Sequence, residues 1–171
     1  LISGDESKEE NNEILGESFE KRDTLSGSLI KLQGVFDKLS VRDVISWNAM
    51  IAYHAQHGHG EEALNWLEQM QHEGLHPDAP TFACVLKVCG KMGSIEKANE
   101  MHAEIARAGI MEKDPVLGTA MIDMYAQCDE VGMARQVFDV ITTRNAVSWT
   151  ALVSAYSQNE HAEEAMKCLD N

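Results

Sequence analysis

Two His-x-Glu patterns are the most suggestive chemical motifs in this sequence. The segments His102–Glu104 and His161–Glu163 match half of the zinc deaminase signature, in which the glutamate transfers a proton. The other half of that signature, P-C-x-x-C, occurs nowhere among the 171 residues. We therefore predict that neither pattern is a zinc site and that His102 packs between helices.

The remaining potential metal ligands and nucleophiles are isolated from one another. His57 and His59 flank Gly58 and could contact one metal ion together, but no third ligand lies nearby, so we expect an ordinary turn. Neither a glycine-rich phosphate loop nor a nucleophile elbow is present. The sequence thus predicts no enzyme, no catalytic residue, no metal and no cofactor. The cysteines show no C-x-x-C spacing and are expected to be reduced core residues: Cys84, Cys89, Cys128 and Cys168.

These residues lie in elements that repeat along the chain. One set of alanines is separated by 35, 36 and 31 residues: Ala63, Ala98, Ala134 and Ala165. A second set of apolar residues follows the same three steps: Met50, Val85, Met121 and Leu152. At the summed offset of 102 residues the sequence itself recurs, since Ser46-Trp47 is found again as Ser148-Trp149. Periods of this length are typical of helical solenoids, in which each hairpin packs on its neighbours.

The stretch from Val44 to Asp78 shows what one repeating unit contains. Its first half places three apolar residues on one helical face: Trp47, Met50 and Ile51. Its second half does the same with Ala63, Trp66, Leu67 and Met70. Gly74 and Pro77 then end the second helix. We therefore predict an all-α protein, an α-α superhelix of helical hairpins, with helix throughout beyond residue 27 and no strand.

Val44–Asp78, together with the later segments MHAEI and MIDMYAQC, resembles the pentatricopeptide repeats of plant organelle proteins. The unequal steps are similar to the P-, L- and S-type repeats of the PLS subclass, whereas tetratricopeptide repeats carry a different motif at 34 residues. The resemblance covers residues 27–171 and implies five segments: the second half of an S-type repeat at 27–43, a P-type repeat at 44–78, an L-type repeat at 79–114, an S-type repeat at 115–145 and a truncated P-type repeat at 146–171.

Residues 1–26 are polar and acidic and do not show the repeat motif. We expect residues 1–12 to be disordered and residues 13–26 to be either a poor, degenerate helix or unrelated sequence. The chain does not begin with methionine and stops inside a repeat, so we expect it to be a fragment of a longer protein. No run of 18 apolar residues occurs, and no membrane span is predicted.

The resemblance implies binding of single-stranded RNA, with one base recognised by each repeat. In the family, the fifth and last residues of a repeat select the base, and the second residue packs against the face of the base. On that pattern Asn48 with Asp78 favours uracil, and Thr119 with Asn145 favours adenine. The implied packing residues are Ile45, Pro80, Val116 and Val147.

The other fifth residues are less informative, and the polar pairs have a plainer alternative. Ala83 offers no hydrogen-bonding side chain, so the L-type repeat should discriminate little between bases. Thr150 is the fifth residue of the truncated repeat, and its partner lies beyond the sequence. Asn48 and Thr119 near helix starts are also typical of local caps, and Asp78 after a proline is typical of a turn.

The net charge of −14 argues against simple electrostatic RNA binding, because phosphate contacts usually dominate affinity. Only −4 of this charge lies in the first 43 residues, so the repeats themselves are acidic. We expect the carboxylates to form a solvated face on the second helices, and RNA binding then requires a first-helix groove that is neutral or basic.

Two function classes remain after these exclusions. The first is the RNA-recognition part of an organellar RNA editing or processing factor in the mitochondrion or chloroplast. It implies single-stranded organellar RNA and editing-complex proteins as partners, with no membrane and no small-molecule substrate. The second is a protein–protein interaction scaffold of helical repeats without RNA binding.

Overall fold

The computed structural model describes residues 27–111 and 114–169, and helices make up most of both stretches. No strand occurs within them, so the predicted all-α fold is confirmed. The disorder predicted for residues 1–12 and the poor helix predicted for residues 13–26 fall outside the described residues. The helices are α1 (27–38), α2 (Val44–Gln56), α3 (Gly60–His72), α4 (Ala79–Met92), α5 (Ile95–Ala108), α6 (Pro115–Gln127), α7 (Val131–Val140), α8 (Ala146–Gln158) and α9 (Ala162–Leu169).

The chain divides into two compact units, Leu1–Arg42 and Asp43–Asn171. In the first unit, the described part contains α1 and a guanidinium–aromatic contact, since Arg42 lies 4.7 Å from the centre of the Phe36 ring. The second unit contains α2 to α9, which alternate as first and second helices of successive hairpins. None of the described helices is long and apolar enough to cross a membrane.

Each first helix of the second unit begins directly after a capping side chain. These side chains accept hydrogen bonds from backbone N–H groups of the first turn, which have no partner inside the helix. The first helices α2, α4, α6 and α8 begin at the predicted first residues of the repeats, and the P, L and S types of those repeats remain a prediction. The caps are Asp43, Asp78, Asp114 and Asn145.

The first helices pack side by side and form a continuous layer. Helix α4 contacts α2 and α6, and α6 also contacts α8. Helices α3, α5 and α7 each pack on their own first helix and on the next one, and α9 packs on α8. Burial of large apolar side chains between these helices contributes about 1.5–3 kcal/mol each. The repeated positions that form this core are completely buried: Met50, Ile51, Val85, Leu86, Met121, Ile122 and Leu152.

Several sequence predictions about individual side chains are confirmed. Trp47 is buried and makes an edge-to-face contact with Trp66, with ring centres 5.4 Å apart. His102 packs between α5 and α6, where its Nδ1 is hydrogen-bonded to Tyr125 Oη at 2.8 Å. The four cysteines are free thiols, two buried and two half-buried.

The described residues contain no group of three potential metal ligands, and the expectation that the chain holds no metal stays a prediction.

Candidate nucleic-acid interface

Four exposed apolar residues mark one face of the first-helix layer. Ile45, Val116 and Val147 keep 77%, 68% and 61% of their surface exposed, and Pro80 is exposed as well. Single exposed apolar residues are ordinary, but these four occupy the second position of four helices that pack side by side. Equivalent positions on adjacent parallel elements of a repeat lie on the same side. The predicted packing residues therefore present a series of apolar surfaces to solvent.

Asn48 and Asp78 are 30 positions apart in sequence and form a direct hydrogen bond. Asn48 Nδ2 donates to Asp78 Oδ1 at 3.0 Å, across from α2 to the start of α4. The same carboxylate oxygen accepts from the backbone N–H of Thr81 at 2.9 Å, so Asp78 also caps α4. The turn chemistry expected as an alternative is thus present together with the predicted pairing.

The environment of Asp78 keeps its side chain ionised at neutral pH. Partial burial raises the pKa of this carboxyl group, but the hydrogen bonds from Thr81 and Asn48 outweigh it, and the net pKa lies below the ordinary value. An ionised carboxylate only accepts hydrogen bonds. The NH₂ group of Asn48 therefore faces Asp78, which favours one of the two orientations of the Asn48 amide.

Thr119 and Asn145 line one groove and are bonded differently from the first pair. Thr119 Oγ1 donates to the carbonyl oxygen of Pro115 at 3.0 Å. Asn145 Oδ1 accepts from the backbone N–H groups of Val147 at 2.9 Å and Ser148 at 3.0 Å. Asn145 is therefore the cap of α8, a role that the plainer alternative had given to Asn48 and Thr119. The pair is brought to one groove without the direct bond that joins Asn48 to Asp78.

That groove has a volume of about 440 Å³ and brings together several predicted and unpredicted residues. Val116 and Val147 contribute apolar walls to it, beside Thr119 and Asn145. A neighbouring groove of about 420 Å³ is lined by Thr119, Val147 and Thr150, so the predicted residue of the truncated repeat lies on the same face. Thr150 Oγ1 donates to the carbonyl oxygen of Ala146 at 2.7 Å. Ala83 lies half-buried on α4 and adds no polar group.

Two lysines in the larger groove were not predicted from the sequence. Lys87 and Lys91 are exposed residues of α4 that line the groove next to Thr119. Their spacing of four residues places them on one side of a helix. This spacing on a first helix was the available signal, but the strongly negative total charge averages over both sets of helices and does not reveal it.

The charges of the second unit are divided between its two sets of helices. The first helices α2, α4, α6 and α8 contain two lysines and one aspartate. The second helices α3, α5, α7 and α9 contain nine carboxylates and four basic residues. The acidity of the repeats is therefore concentrated on the second helices. The first helices carry few charges, and the aspartate caps Asp43, Asp78 and Asp114 lie at their starts.

Comparisons with known proteins agree with this arrangement. The PPR repeat family matches residues 42–91, and the PPR repeat matches residues 80–110, 119–145 and 147–171.

Relatives from Arabidopsis thaliana span much more sequence than this chain. The mitochondrial pentatricopeptide repeat-containing protein At4g31070 is 35% identical over 133 residues, which cover 78% of this chain and 21% of the relative. The chloroplastic protein At1g11290 is 38% identical over 132 residues, covering 77% of this chain and 16% of the relative. The chloroplastic protein At4g18520 is 34% identical and covers 95% of this chain and 28% of the relative.

Solved structures show the same fold. The crystal structure of the pentatricopeptide repeat protein PPR10 in complex with an 18-nt psaJ RNA element has a TM-score of 0.66 at 22% identity, covering 80% of this chain and 21% of that one. The structure of PPR10 from maize has a TM-score of 0.61 at 23% identity, covering 74% of this chain and 18% of that one. The predicted helical-hairpin solenoid is thereby confirmed.

Proposed function

Because this chain belongs to the pentatricopeptide repeat family, we propose that its first-helix face binds single-stranded RNA, with one base recognised by each repeat. The observation that carries the proposal is the hydrogen bond between Asn48 Nδ2 and Asp78 Oδ1. It joins the two residues expected to select a base, although they belong to different helices. A side chain held in this way can present a defined pattern of donors and acceptors at a base edge.

The bonds of Asn48 leave a donor and an acceptor for a base. One N–H of its amide is used by Asp78, and one lone pair of its Oδ1 is used by Thr81 Oγ1. An amide carries two N–H groups and two acceptor lone pairs, so one of each remains. Uracil offers a carbonyl acceptor and an N–H donor on its pairing edge. This supports a preference for uracil at the repeat formed by residues 44–78.

The remaining repeats extend the recognition sequence. Thr119 and Asn145 share the larger groove with the apolar walls of Val116 and Val147. This arrangement supports the binding of adenine, the base that the family pattern implies, with its face against the valines. Ala83 provides no hydrogen bond, so the middle base is not selected. The three complete repeats should accordingly favour 5′-U-N-A-3′. Thr150, the fifth residue of the truncated repeat, would contact a further base.

The division of charge reduces the objection raised by the net charge of −14. RNA affinity depends on phosphate contacts, and Lys87 and Lys91 place two positive charges beside the groove. The carboxylates of the second helices lie outside the first-helix layer. RNA would therefore approach a surface with few charges, where Lys87 and Lys91 lie beside Asp123, and not the strongly acidic second helices.

The chain spans between 16% and 28% of the length of the relatives described above, so the role of the whole protein is a broader proposal. Relatives of this chain are mitochondrial or chloroplastic by name. We propose that the chain is the recognition part of an organellar RNA editing or processing factor of the PLS subclass. Editing-complex proteins would then be its protein partners, and the chemistry would come from elsewhere.

The test is a change of base preference at one repeat. Asn48→Thr with Asp78 retained should shift the first preference from uracil towards guanine, because the family pattern pairs a hydroxyl and aspartate with guanine. We expect a shift of about 1–3 kcal/mol, the usual range for one base-edge pattern. Binding is measured by fluorescence anisotropy at low salt, with the chain or with an array that joins further repeats to it. An unaltered preference in a variant that still binds RNA would contradict the assignment.

The competing class is a protein–protein scaffold. It is favoured by the acidic second helices, which offer nine carboxylates to a basic partner. The two classes differ in which face is used and in the ligand. Absence of binding to every single-stranded RNA at low salt would leave the scaffold as the function.

A further inference from the structure

Thr81 is a buried residue whose hydroxyl contacts both members of the base-selecting pair. It is the third residue of α4 and belongs to the repeat that follows Asn48. Its Oγ1 lies 2.5 Å from Asn48 Oδ1 and 2.6 Å from Asp78 Oδ1. The backbone N–H of Asp78 donates to the same Oγ1 at 3.1 Å. Three hydrogen-bonding groups therefore meet at one hydroxyl.

The Thr81 hydroxyl has one proton and two close acceptors. Asn48 Oδ1 and Asp78 Oδ1 carry no proton of their own, and they lie 2.5 Å and 2.6 Å from Thr81 Oγ1. The hydroxyl proton is therefore shared between the two oxygens, while Oγ1 accepts from the N–H of Asp78. Asp78 Oδ1 also accepts from Asn48 Nδ2 and from the backbone N–H of Thr81, whereas the contact with Thr81 is the hydrogen bond that the structure gives to Asn48 Oδ1.

This second anchor matters because an amide side chain is nearly symmetric. Its donor and acceptor ends have similar shape, and rotation about the terminal torsion is broad and roughly two-fold. Uracil and cytosine present the opposite order of donor and acceptor on their pairing edges. An amide that can rotate matches either base, whereas an amide held at both ends matches only one. Asp78 holds the NH₂ end of Asn48, and Thr81 holds the oxygen end.

We propose that Thr81 is a positioning residue for base selection by the preceding repeat, which rests on the RNA binding proposed above. Its hydroxyl fixes the rotation of the Asn48 amide and thereby sets the preference for uracil over cytosine. The group that selects this base then consists of Asn48, Asp78 and Thr81. It extends three residues past the repeat boundary at residue 78.

Ser148 provides a matched control inside the same chain. It is the third residue of α8, is buried like Thr81, and forms the same kind of capping box with Asn145. Its Oγ donates to the carbonyl oxygen of Asn145 at 2.9 Å, and the hydroxyl of Thr119 is bonded to Pro115. Loss of the Ser148 hydroxyl thus removes a comparable cap without removing a bond to a fifth residue.

The experiment compares two RNAs that differ only by uracil or cytosine opposite the repeat of residues 44–78. Their affinities are measured by fluorescence anisotropy for the wild-type chain and for Thr81→Val, Thr81→Ser and Ser148→Ala, with melting temperatures recorded for each. Thr81→Val should lower the ratio of uracil to cytosine affinity about 3- to 10-fold, the range expected for one lost hydrogen bond. Thr81→Ser should keep the ratio within about 2-fold of wild type, because serine retains the hydroxyl that bonds Asn48. Ser148→Ala should lower stability without changing the ratio.

Different failures point to different errors. An unchanged ratio in Thr81→Val that still binds RNA would overturn the role of Thr81 and leave the proposed function intact. An equal drop in Ser148→Ala would also overturn it, because the effect would then come from the lost cap. Failure of the wild-type chain to bind any single-stranded RNA would overturn both proposals.

A second measurement requires no variant and no RNA. The side-chain amide of Asn48 is observed by ¹⁵N relaxation in the wild-type chain. If Asp78 and Thr81 both hold it, its order parameter should approach that of a rigid backbone, about 0.85. A value below about 0.6, typical of a flexible group, would overturn the positioning role even if Thr81→Val does not fold.

Discussion

Arg144 caps the C-terminal end of α7, and its removal should destabilise this end of the α6–α7 hairpin and its junction with α8. Its Nη2 donates to the carbonyl oxygen of Asp139 at 3.0 Å and its Nε to that of Phe138 at 3.4 Å. These carbonyls belong to the last turn of a helix, where no backbone partner is available. The guanidinium also lies 4.9 Å from the centre of the Phe138 ring. Arg144→Met keeps the length of the side chain and removes both donors and the charge.

The magnitude can be worked from these contacts. The side chain of Arg144 is 41% exposed, so its two hydrogen bonds should contribute at the low end of the usual range, about 0.5 kcal/mol each. A cation–aromatic contact at an exposed site adds about 0.5–1 kcal/mol. We expect Arg144→Met to lower the free energy of unfolding by about 1.5–2 kcal/mol. For a chain of this size the melting temperature should fall by about 3–8 °C.

Arg135→Met is the matched control for this prediction. Arg135 Nε bonds both carboxylate oxygens of Asp139, at 3.1 and 3.0 Å, on the exposed surface of the same helix. Arg135 also lies 5.9 Å from the centre of the Phe138 ring, so the control matches the guanidinium–aromatic contact of Arg144. Its exposed pair with Asp139 contributes roughly 0.3–0.5 kcal/mol more. Urea unfolding is followed by circular dichroism and by tryptophan fluorescence, since Trp149 lies 4.6 Å from the Phe138 ring. If Arg144→Met unfolds at the same urea concentration as Arg135→Met, the carbonyl contacts do not stabilise the helix end.

Three further predictions concern the core, pH and salt. Trp47→Ala should lower the free energy of unfolding by about 3–5 kcal/mol, because a large buried side chain is removed; a decrease below about 1 kcal/mol in urea unfolding would show that the ring is not core. Burial lowers the pKa of His102 below its ordinary 6.5, so the unfolded chain takes up a proton first and stability should fall as pH drops below about 6.5. His102→Leu, with the residue found at the equivalent position 67, should weaken this pH dependence of the melting temperature, and an unchanged profile would exclude His102 as its source. Lys87→Gln and Lys91→Gln should weaken binding of all RNAs alike and reduce the salt slope by about 0.7 for each phosphate that is no longer neutralised; a change confined to one base would contradict a phosphate role.

The repeated apolar positions allowed the fold to be predicted, because helix period and repeat period agree at many residues. Met50, Val85 and Met121 follow the repeat spacing, and all three are completely buried. Each hairpin depends mainly on its neighbours, so local pattern is sufficient to specify this architecture. The described helix starts also follow local signals, since Asp78 before Ala79-Pro80 is a typical cap followed by proline.

The site was predicted less completely, for physical reasons. The family pattern pointed to Asn48 and Asp78, but it could not show that the hydroxyl of Thr81 would reach Asn48 across two helices. Lys87 and Lys91 were missed because the total charge averages over both sets of helices. Thr119 and Asn145 share a groove without the direct bond of the first pair, and this difference depends on side-chain geometry that sequence spacing does not specify.

The bond from Thr81 to Asn48 has a consequence for recombining repeats into new arrays. The folding unit of this protein is cut most naturally after Asp78, before the next helix begins. The base-selecting group, however, runs from Asn48 to Thr81. A chimera joined after Asp78 would combine the selecting residues of one parent with the third residue of another and could lose the oxygen-side anchor. A junction placed after Thr81 transfers the whole group. Segments exchanged between proteins should therefore end three residues after the end of the structural repeat.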